Sequence, residues 1–436
     1  EIQVAVDGDG NGVALGEREC SLQRRYQKLI EESPSPVIDP SRRERLEEAA
    51  VALALEAGYR NLGTVEFLVD SDRPDDFFFL EMNARLQVEH PVTELVTGLD
   101  LVEMQVAIAN GDPISGFDTG RRQGHAIEAR ICAERPTAGF LPATGKVLSY
   151  SEPEGVRCDS GIEAGSSITT DFDPMLMKVI AHGEDREQAI ERLASGLAGL
   201  TILGVETNAD YLRRLVTHPR VMAGETTTSL VESASMKPEA PDPVRTVAAA
   251  GAVLASRASG SGPGFDRHDA WRVAVPGTSH WTLVDGEAAR FQVSVAESDC
   301  LTVSVDGETV QSGRPNREAP DAIRFGGATW RYALDGAELW ISGPDGVARF
   351  DTEPRLSQAG SVADALVAQL PGTVLSVEVA EGDVVKEGDV LVVIESMKME
   401  ITVAATEDGT VVELPVAPGD HVERGRKLAT IEGVDA

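Results

Sequence analysis

Hydrophobic and polar residues follow three different patterns along the chain, and the first pattern mixes strands with amphipathic helices. Glu1–Asp7 alternates as a strand does, whereas apolar side chains in Arg42–Tyr59 recur at helical spacing, with Gly58 as a stop signal. The apolar face of this helix comprises Leu46, Ala49, Ala50, Leu53 and Ala57. Asp185–Leu200 has the same helical pattern. The chain from Glu1 to about Met236 is therefore predicted to combine helices with a sheet.

The second pattern follows a proline-containing stretch, Glu232–Pro243, and is dominated by short alternating runs. An alanine-rich helix is predicted over Val244–Arg257, and Ser259–Gly264 has the composition of a linker. The runs beyond it are separated by Asp-Gly pairs, which are typical of β-hairpins, and their even spacing predicts a small barrel or sandwich. They include Phe291–Val295, Leu301–Val305, Thr329–Ala333 and Leu339–Ser342, and the pairs are Asp306-Gly307, Asp335-Gly336 and Asp345-Gly346.

The third pattern is an internal repeat that follows a short acidic linker near residues 351–365. Gly372–Glu395 and Gly409–Glu432 are identical at 12 of 24 positions when shifted by 37 residues. Two such halves cannot each bury an apolar face alone, so they are predicted to pack as a flattened β-sandwich. The runs Val390–Ile394 and Ile401–Ala404 flank Met397-Lys398-Met399, which places Lys398 at the tip of a predicted hairpin.

The composition narrows the possible functions. There are 39 Lys and Arg against 72 Asp and Glu, a formal net charge of −33, which disfavours nucleic acid and anionic membranes as partners. The longest apolar runs, such as Val247–Ser256, are about half the length of a membrane helix. The four cysteines lie far apart in the sequence, which is typical of reduced thiols, and we therefore expect a cytoplasmic protein. Because the chain opens on Glu1 within a strand, we expect it to be part of a longer chain.

Acidic residues are dense between Gly63 and Pro91. If the polar turn after Asp70 centres between Arg73 and Pro74, facing residues share an index sum of 147, and Glu66 lies opposite Glu81. Directly opposed side chains are about 4.5–5.5 Å apart at Cβ, where two like charges repel unless a cation lies between them. Hard oxygen ligands of this kind suit Mg²⁺.

Polar residues also occupy every odd position from Glu81 to Glu89, and apolar residues occupy the even ones between them. The polar series is Glu81, Asn83, Arg85, Gln87 and Glu89. If extended, this segment places five functional groups on one face, although the same alternation is the ordinary pattern of a half-buried strand.

This stretch resembles the ATP-grasp active site of biotin carboxylase in Glu66 and in the run from Glu81 to Pro91, EMNARLQVEHP. The resemblance implies that Glu66, Glu81 and Asn83 hold Mg²⁺ or Mn²⁺ ions bridging the ATP phosphates. It implies that Lys28, Arg85, Gln87 and Val88 hold bicarbonate, and that Glu89 is the base that deprotonates it. Arg130 would stabilise the anionic intermediate and the biotin enolate, while Gln23 and Tyr26 would contact ATP. Tyr26 stands where the family commonly has histidine.

The repeat resembles the biotinyl domain of biotin-dependent carboxylases, whose signature is Met-Lys-Met at a hairpin tip. The resemblance implies that a biotin protein ligase attaches biotin to Lys398 through an amide bond. Ser396 replaces the usual alanine before this signature. Lipoyl domains share the fold but carry Asp-Lys-Ala around their lysine, so the methionine pair favours biotin.

The order of the motifs is similar to that of the alpha subunits of acyl-CoA carboxylases. The expected fold is multidomain α+β: the ATP-grasp and C-terminal part of a biotin carboxylase at 1–236, a helix-plus-β-barrel (BT, subunit-interaction) domain at 237–362, and a flattened β-sandwich biotin carboxyl carrier domain at 363–436. The helix would be Val244–Arg257 and most of the barrel Trp271–Phe350. The family's N-terminal half, with its glycine-rich phosphate loop and ATP-clamping lysines, is not in this sequence.

The implied partner is a carboxyltransferase beta subunit in a hetero-oligomer, which would pass the carboxyl group to acetyl-, propionyl- or methylcrotonyl-CoA. The middle region, of about 130 residues, is too short for the roughly 250-residue barrel expected in a pyruvate carboxylase. Two alternatives stay open: a non-catalytic biotin carrier and scaffold, and another biotin-dependent carboxylase such as a urea-type enzyme.

Overall fold

The computed structural model describes residues 1–70, 73, 76–233, 243–258, 278–285, 289–297, 301–344, 346–352, 365–368, 371–396, 399–423 and 425–433. Several sequence predictions fall wholly or partly outside these residues. They concern the linker at 259–264, the barrel start at Trp271, the turn residue Asp345, the linker near 351–365, Cys300, Met397 and Lys398.

The first part of the chain, up to Asn110, contains six strands and three helices. They are β1 (Ile2–Val6), β2 (Gly12–Glu17), β3 (Glu19–Arg24), β4 (Gln27–Ser33), α1 (Pro40–Glu56), β5 (Asn61–Val69), β6 (Phe77–Asn83), α2 (His90–Thr97) and α3 (Leu101–Asn110). Four of the strands form an antiparallel sheet in the order β2-β1-β5-β6. The helix α1 covers this sheet, burying Leu46, Ala50 and Ala54 against β1 and β2.

The next part contributes a second sheet, of five strands, in the order β12-β14-β7-β4-β3. The elements of this part of the chain are β7 (His125–Cys132), β8 (Glu134–Arg135), β9 (Leu141–Pro142), β10 (Gly145–Lys146), β11 (Ser149–Ser151), β12 (Arg157–Ser160), β13 (Ser167–Ile168), β14 (Met175–Gly183), α4 (Arg186–Gly199), β15 (Thr201–Leu203), α5 (Ala209–Val216) and α6 (Pro219–Met222). Because β3 and β4 come from the first part of the chain, this sheet joins distant segments around one apolar core.

The helix predictions are confirmed to within a few residues at their ends. Asp39 caps α1 by accepting a hydrogen bond from the Arg42 amide, and Pro40 suits the first turn because it needs no amide partner there. The helix ends at Glu56, before the predicted Tyr59, because Gly58 takes a left-handed conformation with φ 63°. Asp185 caps α4 in the same way.

The middle part consists of a helix and a nine-stranded antiparallel sheet in the order β19-β18-β17-β16-β24-β23-β22-β21-β20. The helix α7 buries alanines and Val247 and Val253 against this sheet, and Trp330 and Phe350 complete the core. The elements are α7 (Pro243–Ala258), β16 (Thr278–Asp285), β17 (Ala289–Glu297), β18 (Leu301–Val305), β19 (Glu308–Gly313), β20 (Asn316–Ala319), β21 (Ala322–Phe325), β22 (Ala328–Asp335), β23 (Glu338–Gly343) and β24 (Gly346–Asp351). The predicted helix and the four predicted strands are confirmed.

The last part is a sandwich of two four-stranded sheets, as the repeat predicts. The strands are β25 (Ala365–Val367), β26 (Gly372–Val377), β27 (Val384–Val385), β28 (Val390–Ser396), β29 (Met399–Ala404), β30 (Gly409–Glu413), β31 (His421–Val422) and β32 (Lys427–Gly433). The sheet orders are β25-β32-β30-β27 and β29-β28-β26-β31. Each sheet takes two long strands from one half of the repeat and a short strand from the other, which is the arrangement expected of a pseudo-twofold.

Among the described residues, Cys20, Cys132 and Cys158 form no disulfide. Across the same ranges, we find no helix with both the length and the apolar character needed to cross a membrane.

Candidate active site

A cavity of about 1030 Å³ opens between the β3–β4 hairpin, the β5–β6 hairpin and the loop that precedes α2. This volume is at the upper end for a pocket that holds a small molecule or cofactor. The cavity brings together eleven of the twelve residues predicted from the sequence: Gln23, Tyr26, Lys28, Glu66, Glu81, Asn83, Arg85, Gln87, Val88, Glu89 and Arg130. The twelfth, Lys398, lies outside the described residues.

The predicted pairing of two acids across the hairpin is confirmed, because β5 and β6 pair with Glu66 directly opposite Glu81. The Nδ2 atom of Asn83 donates to Glu66 Oε1 and to Glu81 Oε1, at 3.0 Å each. Two carboxylates and an amide oxygen within reach of one another are the ligands that a hard divalent cation prefers. The residues therefore fit a Mg²⁺ or Mn²⁺ ion, which would also relieve the repulsion between the two acids.

The prediction of a continuous extended segment from Glu81 to Glu89 is wrong beyond Asn83, where β6 ends. The chain turns instead, and Glu89 becomes the residue that precedes α2, with Pro91 in the first turn of that helix. Proline cannot supply the amide that a further ladder bond would need, whereas it fits a helix start. The turn nevertheless keeps Gln87 and Glu89 at the cavity, with Gln87 Nε2 donating to Glu66 Oε1 at 2.7 Å.

Lys28 connects the acidic hairpin to Glu89. Its Nζ donates to Glu89 Oε1 at 2.6 Å and to Glu66 Oε1 at 3.3 Å, and it also pairs with Glu1. One ammonium group thus holds three carboxylates in place at the floor of the cavity.

Glu89 is 2% exposed and stays ionised because three cations surround it. Burial opposes ionisation, but Arg18, Lys28 and Arg130 outweigh it and lower the pKa of Glu89 to about 2. The Nη2 atom of Arg130 donates to Glu89 Oε2 at 2.9 Å. The carboxylate is therefore fixed at both oxygens, facing the cavity and free of a proton at neutral pH.

Arg130 bridges the two acids with two adjacent donors of its guanidinium group, Nε to Glu31 and Nη2 to Glu89. Although burial opposes its charge, Glu31 and Glu89 raise the pKa of Arg130 above its ordinary value. A permanently charged planar donor is suited to holding a planar oxyanion.

Two buried acids behind Arg130 were not predicted. Glu31 on β4 and Glu128 on β7 are directly opposite each other and fully buried. Neither carboxylate oxygen of Glu128 has a hydrogen-bond partner among the described residues. Burial, with Glu31 as a second cause, raises the pKa of Glu128 well above its usual value. The signal was present in the sequence, since Glu128 and Arg130 fall on the same face of an otherwise apolar strand.

Arg18 was not predicted either. No local sequence pattern indicates its role, because its hydrogen-bond partners come from four separate segments of the chain. It is fully buried, and its guanidinium donates to Glu1, Gln3, Thr64, Gln87 and Thr93. Its Nη2 contact with Gln87 Oε1, at 3.0 Å, orients the amide that in turn contacts Glu66.

At the mouth of the cavity the side chains are less constrained. Arg85 is exposed, donates to the Leu86 carbonyl at 3.4 Å, and forms no ion pair within the described ranges. Tyr26 is 96% exposed and lies with Arg25 in a hairpin turn where both residues have positive φ, 46° for Arg25 and 65° for Tyr26. Gln23, paired with Lys28 on the neighbouring strand, completes this edge together with Thr226–Thr228.

The predicted hairpin around Met-Lys-Met is confirmed on both sides of the signature. The strands β28 and β29 pair as far as Ser396 opposite Met399. Ser396 is buried, and its Oγ donates to the Pro371 carbonyl at 2.8 Å, so the hydroxyl that replaces the family's alanine is satisfied.

Three protein-family models match the chain in sequence order. Residues 1–116 match the ATP-binding domain of the carbamoyl-phosphate synthase L chain, residues 128–233 match the biotin carboxylase C-terminal domain, and residues 365–431 match the model described as biotin-requiring enzyme.

Curated relatives match nearly the whole chain. The propionyl-CoA carboxylase alpha chain of Ruegeria pomeroyi is 34% identical over 92% of this chain and 65% of its own length. The human mitochondrial propionyl-CoA carboxylase alpha chain is 36% identical over 93% of this chain and 59% of its own. The Dictyostelium discoideum methylcrotonoyl-CoA carboxylase subunit alpha is 33% identical over 94% and 63%. The chain therefore spans about three-fifths of the length of these relatives.

Solved structures match about half of this chain, the part that contains the cavity. A Campylobacter jejuni biotin carboxylase, solved as a complex named for β,γ-ATP, is 39% identical, with a TM-score of 0.51 over 53% of this chain and 52% of that chain. The biotin carboxylase domain of a thermophilic 2-oxoglutarate carboxylase, bound to bicarbonate, is 38% identical, with a TM-score of 0.53 over 55% of this chain and 54% of that chain.

These matches agree with the geometry of the cavity and with the hairpin around the Met-Lys-Met signature, and they cover both ends of the chain. The chain is similar to biotin-dependent carboxylases along nearly its whole length: its first half has the fold of part of an ATP-grasp biotin carboxylase, and residues 365–431 match the model described as biotin-requiring enzyme.

Proposed function

We propose that the full-length protein is the alpha subunit of an acyl-CoA carboxylase, which carboxylates its own biotin at the expense of ATP and bicarbonate. The observation that carries this proposal is the buried Glu89 carboxylate held between Lys28 and Arg130, next to the opposed acids Glu66 and Glu81. The proposal is also supported by the β-hairpin on the same chain whose two strands flank the Met-Lys-Met signature.

In this proposal Glu66, Glu81 and Asn83 hold one or two Mg²⁺ or Mn²⁺ ions. The bound metal would neutralise charge on the ATP phosphates, which makes phosphoryl transfer to a weak nucleophile possible. The opposed pair accounts for these residue types, because it is costly without a cation between the two carboxylates. Gln23 and Tyr26, at the edge of the cavity, would contact the nucleotide.

Bicarbonate would bind between Lys28, Arg85, Gln87 and Val88, with Glu89 as the base. At rest three cations keep the pKa of Glu89 near 2, which makes it a weak proton acceptor. A bound anion would share those cations, so the affinity of Glu89 for a proton would rise when the substrate is present. Arg130, released in part from Glu89, would then stabilise the anionic intermediate and the biotin enolate.

The remaining parts of the proposal concern Lys398 and the partners. A biotin protein ligase would attach biotin to Lys398, and a carboxyltransferase beta subunit would take the carboxyl group to a CoA ester in the cytoplasm. The relatives named as propionyl-CoA and methylcrotonoyl-CoA carboxylase alpha chains favour a short acyl-CoA.

The test is ADP release by the full-length native protein supplied with ATP, Mg²⁺, free biotin and varied bicarbonate. We expect turnover that depends on bicarbonate and falls by a factor of about 10² to 10⁴ in Glu89→Gln, which removes the base but keeps the shape. The matched control is Glu163→Gln, an exposed acid. No bicarbonate-dependent turnover in the unaltered protein would overturn the enzymatic proposal and favour a non-catalytic biotin carrier.

A further inference from the structure

The loop that carries the site residues Arg85 to Glu89 is held from behind by a lysine outside the cavity. Lys178, in the middle of β14, is 8% exposed, and its Nζ donates to the Val88 carbonyl at 2.7 Å. The same Nζ pairs with Asp159 Oδ2 on β12 at 3.2 Å. A buried ammonium group is costly unless it is paired, so these two contacts account for its position.

The strand register places Lys178 in a row of charged residues across the five-stranded sheet. Asp159 is directly opposite Lys178 on one side, and Arg130 is directly opposite it on the other. Opposed residues on neighbouring strands point to the same face, so the lysine lies beside the arginine that contacts Glu89. Asp159 offsets the repulsion between the two cations on one side, and Glu31 and Glu89 offset it on the other.

The contact acts on Glu89 through the backbone. The carbonyl that Lys178 holds belongs to the peptide unit joining Val88 to Glu89, and a peptide unit is planar. Fixing the carbonyl oxygen therefore fixes the orientation of this peptide plane, and with it the position of the Glu89 nitrogen. Glu89 has φ −80° and ψ 6°, a sparsely populated conformation, and its side chain makes no capping hydrogen bond to α2. Tertiary contacts must hold this residue in place.

We propose that Lys178 is a positioning residue that orients the Val88–Glu89 peptide and so aims the Glu89 carboxylate at bicarbonate. This inference rests on the proposed function, because the reaction it serves is the carboxylation of biotin. A lysine that only paired with Asp159 would affect folding but would not distinguish one substrate from another.

The experiment is steady-state ADP release by the full-length native protein and its Lys178→Met variant, with bicarbonate and ATP varied separately. We expect the KM for bicarbonate to rise by about tenfold to a hundredfold, because the loop that Lys178 holds also carries Gln87 and Val88, which are proposed to bind bicarbonate, and a hydrogen bond to a charged group has an effect of this size. The KM for ATP should stay within about twofold, since the hydrogen bond and the ion pair of Lys178 go to Val88 and Asp159 and not to the hairpin proposed to bind the metal. Lys178→Arg, which keeps a charged donor, should restore most of the loss, and Lys146→Met, at an exposed lysine, should have no effect.

A second measurement is independent of turnover. His90 and Val92 donate their amides to Gln87 and Glu89 in the turn that Lys178 supports. Hydrogen exchange of the amides of residues 87–90 and 92 should accelerate by at least about tenfold in Lys178→Met and remain unchanged in Lys146→Met. Equal changes in both KM values, or unchanged exchange in this segment, would overturn the role of Lys178. Absence of turnover in the unaltered protein would overturn the proposed function, and the exchange result would still decide the role of the lysine.

Discussion

At the scale of single residues, the site combines groups of opposite charge whose protonation is set by their surroundings. Glu89 and Glu128 are both buried acids near Arg130, yet their pKa values shift in opposite directions. Glu89 makes hydrogen bonds to Lys28 and Arg130, whereas Glu128 makes none within the described residues. The two acids therefore differ in their contacts with cations, whereas burial raises the pKa of Glu31, which accepts a hydrogen bond from Arg130.

Glu128 gives a prediction about stability and pH. Its pKa in the folded protein lies above the usual 4.5, so the native state keeps a proton that the unfolded chain has lost above that pH. The stability that this proton contributes is present below pH 4.5 and is lost as the pH rises, by at most about 1.4 kcal/mol per pH unit. Glu128→Gln cannot lose a proton, so it should become progressively more stable than the unaltered protein between pH 5 and pH 8.

The measurement is the opening free energy of the β4 and β7 amides by hydrogen exchange, corrected for intrinsic rates. Glu191→Gln, at an exposed acid of α4, is the matched control and should follow the unaltered protein at every pH. Parallel curves for Glu128→Gln and the unaltered protein would show that Glu128 is already ionised in the folded state.

At the scale of elements, the repeat explains why two glycines recur 37 residues apart. Gly372 and Gly409 begin the equivalent strands β26 and β30. A Cβ atom on Gly372 would lie 2.4 Å from the Glu395 carbonyl oxygen, and one on Gly409 would lie 2.4 Å from Ile431 Cγ2. Neither glycine has a positive φ, so the constraint is close packing against the paired strand and not backbone conformation.

Gly409→Ala should therefore destabilise the sandwich by about 1–3 kcal/mol, the usual cost of overpacking. Differential scanning calorimetry of the intact chain should show the loss in the sandwich transition, while the transitions of the other cores stay in place. Val412→Ala, at a half-exposed position of the same strand, is the control and should cost less than 1 kcal/mol. Equal unfolding temperatures for the two variants would mean that the strand can move aside to make room.

The sequence could predict contacts between neighbouring elements, but it could not predict contacts between distant ones. The opposition of Glu66 and Glu81 depends on one turn between adjacent strands, so the index sum was sufficient. The contacts of Arg18 and Lys178 depend on the orders of the two sheets, which join segments far apart in the chain. Local periodicity carries no information about such neighbours. The extended segment failed because β6 ends at Asn83 and the chain turns toward α2, whose start at His90 is favoured by Pro91.

At the scale of the whole molecule, the described residues form separate apolar cores for the carboxylase part, the helix-and-sheet part and the sandwich. In the proposed function, the carboxylase part generates the activated carboxyl group and the sandwich carries it. The proposed function requires one carbon atom to pass from the Glu89 site to a biotin on Lys398.

The most direct measurement is the position of that carbon. The biotinylated, full-length native protein is incubated with ATP, Mg²⁺ and ¹⁴C-bicarbonate, quenched at alkaline pH and digested. We expect label on the peptide that contains Lys398, no label in Lys398→Ala, and labelling that is slower by a factor of about 10² or more in Glu89→Gln than in Glu163→Gln. An unlabelled Lys398 peptide, or equal labelling of the two glutamate variants, would contradict the proposed function.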